Sequence, residues 1–169
     1  MTAGTRVLVA GIGNVFLGDD GFGVEVVRRI DAAALPAGVD VADYGIRGVH
    51  LAYDLLEANV ETLVLVDAVP MNEPPGTLAL LEASVDPGAA GVPLQVEAHS
   101  MSPDVVIAAL RGLGGTVPRV LVVGCQPEVI DAQMGLSPPV GATVDQAVQM
   151  VMEVVQGEVA KDLEPAEVG

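Results

Sequence analysis

The sequence predicts an α/β fold, a three-layer sandwich in which a mostly parallel, twisted five-stranded sheet carries helices on both faces. Apolar runs of strand length alternate along the chain with stretches of helical periodicity. The run Thr62–Val66 is continuously apolar, which is typical of a central strand buried on both faces. The strand Thr77–Leu81 should be antiparallel, because the proline-rich residues 68–75 are too few for a parallel crossover.

The chain begins with a predicted strand, Val7–Ala10, which leads through a glycine-rich turn into a helix. Apolar residues recur at helical spacing from Phe22 to Ala33 in that helix. Ser102 then provides a polar start for a later helix, with proline in its first turn. The other predicted elements are a strand at Val39–Ala42, a helix at Val49–Asn59, a strand at Val120–Val123 and a helix at Val140–Gln156.

The domain organisation follows from length and from the end of the apolar pattern. Residues 1–156 are predicted to form one α/β domain, and 169 residues provide enough length for a real core. Residues 157–169 are acidic and without periodicity, so we expect a disordered tail. The single cysteine cannot form an internal disulfide and suits a reducing cytoplasm.

The charge balance narrows the possible partners. Seven basic and 23 acidic residues give a formal net charge of −16. Such a surface repels nucleic acids and anionic membranes, and the longest apolar runs are far too short to span a bilayer. We therefore expect a cytoplasmic protein with no nucleic acid or membrane partner. A monomer is also expected.

The loop after the first strand contains two adjacent acids, Asp19 and Asp20, between glycines. It is not a dinucleotide turn, because Phe16 occupies the position of the third glycine. It is not a phosphate loop, because the two acids replace its lysine and hydroxyl residue. A calcium loop would need alternating acids and a later glutamate. One of the two aspartates could cap the following helix, which leaves the other carboxylate for a cation or a proton.

Three potential metal ligands are expected near the carboxyl edge of the sheet. Asp20 follows the first strand, Asp67 ends the third, and His99 lies in the loop after the fourth. Two carboxylates and an imidazole can bind Ni, Zn, Fe or Mn with positions left for another ligand. Each residue also has a simpler explanation: Asp67 could cap a turn, and His99 could be a solvated loop residue.

The order of several short motifs resembles the nickel-iron hydrogenase maturation endopeptidases. The resemblance runs from about Arg6 to about Ala147. No single motif is specific, but their order and spacing together are. The motifs are Gly11-Ile-Gly-Asn14, Leu17-x-Asp-Asp-Gly-x-Gly23, Leu-Val-Asp67-Ala, the loop residue His99, Pro-Gly-Thr77, Gly124-x-x-Pro-Glu128 and Gly-Leu-Ser-Pro138.

The resemblance implies a metal-dependent endopeptidase that removes the C-terminal extension of a [NiFe]-hydrogenase large-subunit precursor after nickel insertion. It places the metal contacts on Asp20, Asp67 and His99, as catalytic and metal-binding residues at once. It also implies that the substrate precursor carries the nickel, with other divalent metals such as Zn or Cd able to substitute in vitro. The metal could position the scissile bond, or it could polarise the carbonyl or activate a water.

The sequence departs from the family pattern at two places, and the second of them concerns which large subunit is the substrate. Asp20 stands where some members carry glutamate, which shortens the reach by one methylene. The turn Asp43-Tyr-Gly-Ile-Arg-Gly48 replaces a version richer in glycine and threonine. Asp43 is either a supporting polar group near the cleft or a turn-forming residue.

Two other functions are compatible with parts of the sequence. A cysteine hydrolase would use Cys125 as nucleophile with His99 or His50 as base, although a lone cysteine is most often a small buried hydrophobe. A non-proteolytic metal-binding chaperone or carrier for hydrogenase assembly would use the same acids and histidine without cutting the precursor.

Overall fold

The computed structural model describes residues 4–83 and 102–163, and these form one mixed five-stranded sheet with helices. The strands are β1 (Val7–Ile12), β2 (Val39–Gly45), β3 (Thr62–Ala68), β4 (Leu78–Glu82) and β5 (Arg119–Cys125). The helices are α1 (Phe22–Arg28), α2 (Gly48–Glu57), α3 (Pro103–Gly112), α4 (Pro138–Gly141) and α5 (Val144–Leu163), with 3₁₀ turns at Gly18–Gly21 and Ala32–Ala34.

The strands lie in the order β2-β1-β3-β5-β4. The first four are parallel to one another, and β4 pairs antiparallel with β5. This confirms the predicted sheet, including its single antiparallel strand. Because β1, β3 and β5 are parallel neighbours, their carboxyl ends lie along one edge of the sheet.

Two hydrophobic clusters cover the two faces of the sheet. Val64 and Val66 of β3 lie in the cluster that contains the apolar residues of α1 and α5. Leu63 and Leu65, which alternate with them, lie in the cluster that contains those of α2 and α3. Successive side chains of a strand point to opposite faces, so a strand between two helical layers must be apolar throughout. The three-layer arrangement is therefore confirmed.

Helix boundaries differ from the prediction at the first helix and at the last. The apolar stripe predicted a helix to Ala33, but α1 ends at Arg28 and a separate 3₁₀ turn follows. In that turn the side chain of Asp31 accepts a hydrogen bond from the Ala33 N–H at 3.0 Å. An aspartate that bonds the backbone two residues on favours a turn over a continuing helix.

The predicted disordered tail at 157–169 is wrong for its first part, because α5 continues to Leu163. Glu158 is buried and accepts hydrogen bonds from Arg119 at 3.2 Å and Lys161 at 3.0 Å. Val159 packs against the cluster shared with α1. These contacts extend the helix beyond the apolar stripe that the sequence shows. Residues 164–169 lie outside the described part of the chain.

None of the helices formed by the described residues is both long enough and apolar enough to cross a membrane.

Candidate active site

A cavity of about 650 Å³ opens at the carboxyl edge of the sheet, and both Asp20 and Asp67 line it. Asp67 is the penultimate residue of β3, and Asp20 lies in the 3₁₀ turn that follows β1. The structure thus brings together two of the three predicted site residues. Their neighbours in the cavity wall include Leu17, Ala68, Val69, Leu81, Val122 and Ile130.

Two glycines allow the loop that carries Asp20 to approach the end of β3. Gly13 has a φ of +129°, and a side chain there would overlap the backbone oxygen of Asp20. Gly23, in the first turn of α1, lies so close to the Val66 carbonyl that a Cβ atom would overlap it. Glycine is the residue that permits such close backbone approach. These contacts hold the start of α1 against the residue that precedes Asp67.

Asp67 is a buried carboxylate that folding leaves incompletely bonded. Its exposed fraction is 2%. Within the described residues, its Oδ1 atom has no hydrogen-bond partner. Burial first, and then the charge of Asp20, raise the pKa of Asp67 well above the usual 3.8, against a smaller lowering by the Ala68 N–H. A buried polar atom without a partner is uncommon in folded proteins and costs about 1–3 kcal/mol. Asp67 is therefore suited to receive a cation or to hold a proton.

Asp20 is more accessible and is held by its own loop. Its Oδ2 atom accepts a hydrogen bond from the Asn14 N–H at 2.8 Å. Burial raises the pKa of Asp20 above 3.8, and the Asn14 bond lowers it by less. Two carboxyl groups whose pKa values are both raised thus face one cavity, which is an arrangement typical of cation sites and acid–base sites.

Asp19, the adjacent acid, does not line the cavity and is fully hydrogen-bonded inside the protein. It has no accessible surface, and its carboxylate accepts four hydrogen bonds. Burial alone would raise its pKa, but the hydrogen bonds from Val129, Ser137 and Glu128 together outweigh burial and lower the pKa below 3.8. The donors are the N–H groups of Glu128 (2.8 Å), Val129 (2.9 Å) and Ser137 (2.7 Å) and the Ser137 hydroxyl (2.8 Å).

Through these hydrogen bonds, Asp19 holds segment 128–137 against the loop that carries Asp20. Two backbone bonds support the same junction: Gly18 donates to the Gln133 carbonyl at 2.9 Å, and Asp19 donates to the Val129 carbonyl at 2.8 Å. The sequence-based interpretation that one aspartate caps the helix is wrong, since the residue before α1 is Gly21 and no side chain caps it. Sequence reasoning missed this role, although Ser137 lies in one of the motifs that carry the resemblance.

The third predicted ligand, His99, lies outside the described residues. Within residues 4–83 and 102–163, no group of three or more His, Cys, Asp and Glu side chains is placed to hold a metal ion. Asp20 and Asp67 place two carboxylates at the cavity, and the assignment of both, together with His99, as metal ligands stays a prediction.

Two residues of the cysteine-hydrolase alternative, Cys125 and His50, lie within the described part of the chain. Cys125 has no accessible surface, and burial raises the pKa of its thiol above the usual 9.0 despite a contact with Thr143. A buried thiol with a raised pKa is a poor nucleophile. His50 is exposed on α2, where its Nε2 lies 3.7 Å from the carboxylate of Asp54. Neither residue is part of the cavity wall.

Asp43 lines a second, smaller cleft of about 250 Å³ and is absent from the wall of the main cavity. Its Oδ2 lies 3.2 Å from a guanidinium nitrogen of Arg28. Asp43 therefore forms an ion pair in a neighbouring cleft.

The sequence matches the family model described as HycI, hydrogenase maturation protease, over residues 24–154. The matched range contains Asp67 and His99, and Asp20 lies just before it.

The names of two similar proteins and of one similar solved structure agree with that match. The chain is 39% identical over 145 residues to the hydrogenase expression/formation protein HupD of Rhodobacter capsulatus, covering 85% of this chain and 68% of HupD. It is 32% identical over 149 residues to the hydrogenase 2 maturation protease of Escherichia coli, covering 87% and 88%. The hydrogenase maturating endopeptidase HybD from E. coli superposes with a TM-score of 0.70 at 28% identity, covering 90% of this chain and 93% of that one.

Proposed function

We infer the reaction of this chain from its family, because it belongs to the hydrogenase maturation proteases and is therefore a peptidase. We propose that it cuts the C-terminal extension from a nickel-loaded [NiFe]-hydrogenase large-subunit precursor. In this proposal Asp20, Asp67 and His99 contact the nickel that the precursor carries. The enzyme then acts only on precursor in which the metal is already present.

The observation that carries the proposal is the unpartnered Oδ1 of Asp67 beside a second carboxylate. An incoming divalent cation would give that atom a partner and would replace the proton that the raised pKa favours. Asp20, which lines the same cavity, provides a second negative oxygen ligand. Carboxylate oxygens and imidazole nitrogen are both ligands for first-row divalent metals.

The cavity can also orient the peptide that surrounds the nickel. Its wall is apolar at Leu17, Val69 and Ile130 and acidic at Asp20 and Asp67. A chain segment that packs against the apolar side while its metal reaches the carboxylates is held in one register. Holding the reacting groups in position lowers the activation barrier of cleavage, because translational and rotational freedom is already lost on binding. A nickel ion near the scissile carbonyl would also polarise that carbonyl.

The proposal is tested by incubating purified chain with nickel-loaded large-subunit precursor and measuring the precursor mass. Nickel-loaded precursor should lose its extension, and precursor produced without nickel should remain uncut. Asp67→Asn and His99→Ala should leave loaded precursor at full length. Cleavage of nickel-free precursor at the same rate would contradict the proposal that the enzyme recognises the nickel in the precursor. Stable binding of loaded precursor without any change of mass would instead indicate a carrier.

A further inference from the structure

The second cleft, beside Asp43, has a charge opposite to that of the protein as a whole. Its charged wall residues are Arg28, Asp43 and Arg47, which together carry one net positive charge, whereas the whole chain carries −16. Arg28 and Asp43 form an ion pair at 3.2 Å, so they largely cancel. The positive character of the cleft therefore comes from Arg47.

Arg47 is held in place without its charge being neutralised. It donates from Nη2 to the Asp43 carbonyl at 2.6 Å and from Nε to the Tyr44 carbonyl at 3.2 Å. Its guanidinium carbon lies 5.9 Å from the centre of the Tyr44 ring. Within the described residues Arg47 forms no ion pair with a carboxylate. A guanidinium has five N–H donors in a rigid fork, so donors remain for an anionic ligand.

The cleft and the main cavity lie on either side of one loop. Gly13, Asn14 and Val15 line the cleft. The Asn14 N–H also donates to Asp20 at 2.8 Å, inside the candidate active site. A peptide chain extends about 3.3 Å per residue. A bound peptide that crosses this loop therefore needs few residues to reach from the cleft to the main cavity.

The rest of the cleft wall suits an extended peptide. Val15, Val24 and Ile46 form its apolar part, and the Ile46 side chain is 62% exposed although it is large and apolar. An arginine binds a carboxylate through its N–H donors, and the apolar residues beside Arg47 can pack against the chain that carries that carboxylate. A C-terminal extension always provides such a group, because it ends in an α-carboxylate.

We propose that Arg47 and the surrounding cleft bind a carboxylate of the precursor's C-terminal extension while the nickel lies at Asp20 and Asp67. This proposal rests on the proposed function, because it places the extension of the precursor in the cleft on one side of the loop that contains Gly13, Asn14 and Val15. Arg47 is then a specificity residue that contacts substrate and contributes to binding. The carboxylate is either the terminal one or that of an acidic side chain in the extension.

The test measures kcat and KM for nickel-loaded precursor with Arg47→Ala, Arg47→Lys and Arg47→Glu. Arg47→Ala should raise KM about threefold to tenfold at low salt with kcat unchanged, as expected for one partly exposed charged contact. Arg47→Lys should recover part of the loss, and Arg47→Glu should raise KM by about tenfold or more. High salt should narrow these differences, because it screens exposed charges.

Arg29→Glu is the matched control, because Arg29 pairs with Asp145 at 3.2 Å and does not line the cleft. It makes the same change in net charge and should leave KM close to that of the unmodified enzyme. An equal rise in KM for Arg29→Glu and Arg47→Glu would overturn the local assignment in favour of a general charge effect. Thermal unfolding of each variant identifies loss of fold, which would lower the active fraction and leave KM unchanged.

Two modified substrates identify the carboxylate. One precursor has every acidic side chain of the extension changed to the amide, and the other has a terminal carboxamide installed by peptide ligation. One of these two substrates should raise KM for the unmodified enzyme by the same factor as Arg47→Ala does for the normal substrate. Arg47→Ala assayed with that modified substrate should then show no further rise in KM. Full additivity with both substrates, or an unchanged KM for Arg47→Glu, would overturn the inference. Failure of the unmodified enzyme to cut loaded precursor would instead overturn the proposed function.

Discussion

Asp19 and Asp67 are both aspartates with almost no accessible surface, yet the protein surrounds them in opposite ways. Four hydrogen bonds reach the carboxylate of Asp19, and its pKa is lowered. Asp67 has an oxygen without a partner in the described part of the chain, and its pKa is raised. A carboxylate that folding satisfies contributes to stability, whereas one that folding leaves unsatisfied is available for a ligand.

The comparison explains why two adjacent acids, Asp19 and Asp20, have different uses. The 3₁₀ turn Gly18–Gly21 directs one carboxylate toward segment 128–137 and leaves the other on the cavity wall. The first joins this turn to segment 128–137, and the second lines the cavity. Substitutions at the two kinds of position should therefore separate activity from stability.

The largest expected effect is on activity. Asp67→Asn keeps the size of the side chain but removes the charge, so we expect cleavage of nickel-loaded precursor to fall by at least about a hundredfold, the cost of a small misplacement of reacting groups. Asp20→Asn and His99→Ala should behave similarly. The rate is measured by following the precursor mass over time. Cleavage at the normal rate by any of the three folded variants would remove that residue from the site.

The next effect is on stability, at Asp19. Asp19→Asn should lower the free energy of unfolding by about 2–4 kcal/mol near neutral pH, because an amide places donors opposite the N–H and hydroxyl groups that now donate to a carboxylate. The lowered pKa means that the carboxylate contributes stability above its unfolded pKa and loses it as pH falls through the folded pKa. Urea unfolding at several pH values measures the loss of stability and its dependence on pH. If the free energy of unfolding of Asp19→Asn at pH 7 equals that of the unmodified chain, the four hydrogen bonds contribute nothing to stability.

Asp67→Asn should have the opposite effect on stability. Because the pKa of Asp67 is raised, its contribution to stability is present below the unfolded pKa and is lost as pH rises through the folded pKa. Without metal, the variant should be more stable than the unmodified chain near neutral pH, because it carries no charge that burial penalises there. The difference should shrink in acid. A variant that is less stable at all pH values would mean that the Asp67 carboxylate is satisfied after all.

The smallest expected effect is at Ser137. Its hydroxyl donates one of the four bonds to Asp19, at 2.8 Å. Ser137→Ala removes that donor and keeps the backbone bond at 2.7 Å, so we expect a loss of about 1–2 kcal/mol. Cleavage of loaded precursor should continue, because Asp20 and Asp67 are untouched. A loss as large as that of Asp19→Asn would indicate that this hydroxyl organises the whole junction.

The sequence predicted the sheet and the meeting of Asp20 with Asp67 for the same reason. Continuous apolar runs identify parallel strands buried on both faces, and parallel strands place their carboxyl ends together. Two residues at such ends, Asp67 in β3 and Asp20 after β1, are therefore brought to the same edge of the sheet. The turn to the antiparallel strand was predictable from chain length alone.

The role of Asp19 and the end of α5 could not be predicted in this way. The donors to Asp19 lie 109 to 118 residues further along the chain, and no local pattern connects them. Glu158 likewise extends α5 through Arg119, which is 39 residues distant. Both are polar contacts between distant segments, and they leave no periodic trace in the sequence.

A crystal structure of the full chain grown with Cd²⁺ tests the central claim most directly. We expect one ion bound jointly by the carboxylates of Asp20 and Asp67 and by an imidazole nitrogen of His99, with the Asp19 carboxylate still bonded to Ser137. An ion held by Asp19, or His99 remote from an ion at Asp20 and Asp67, would contradict the account.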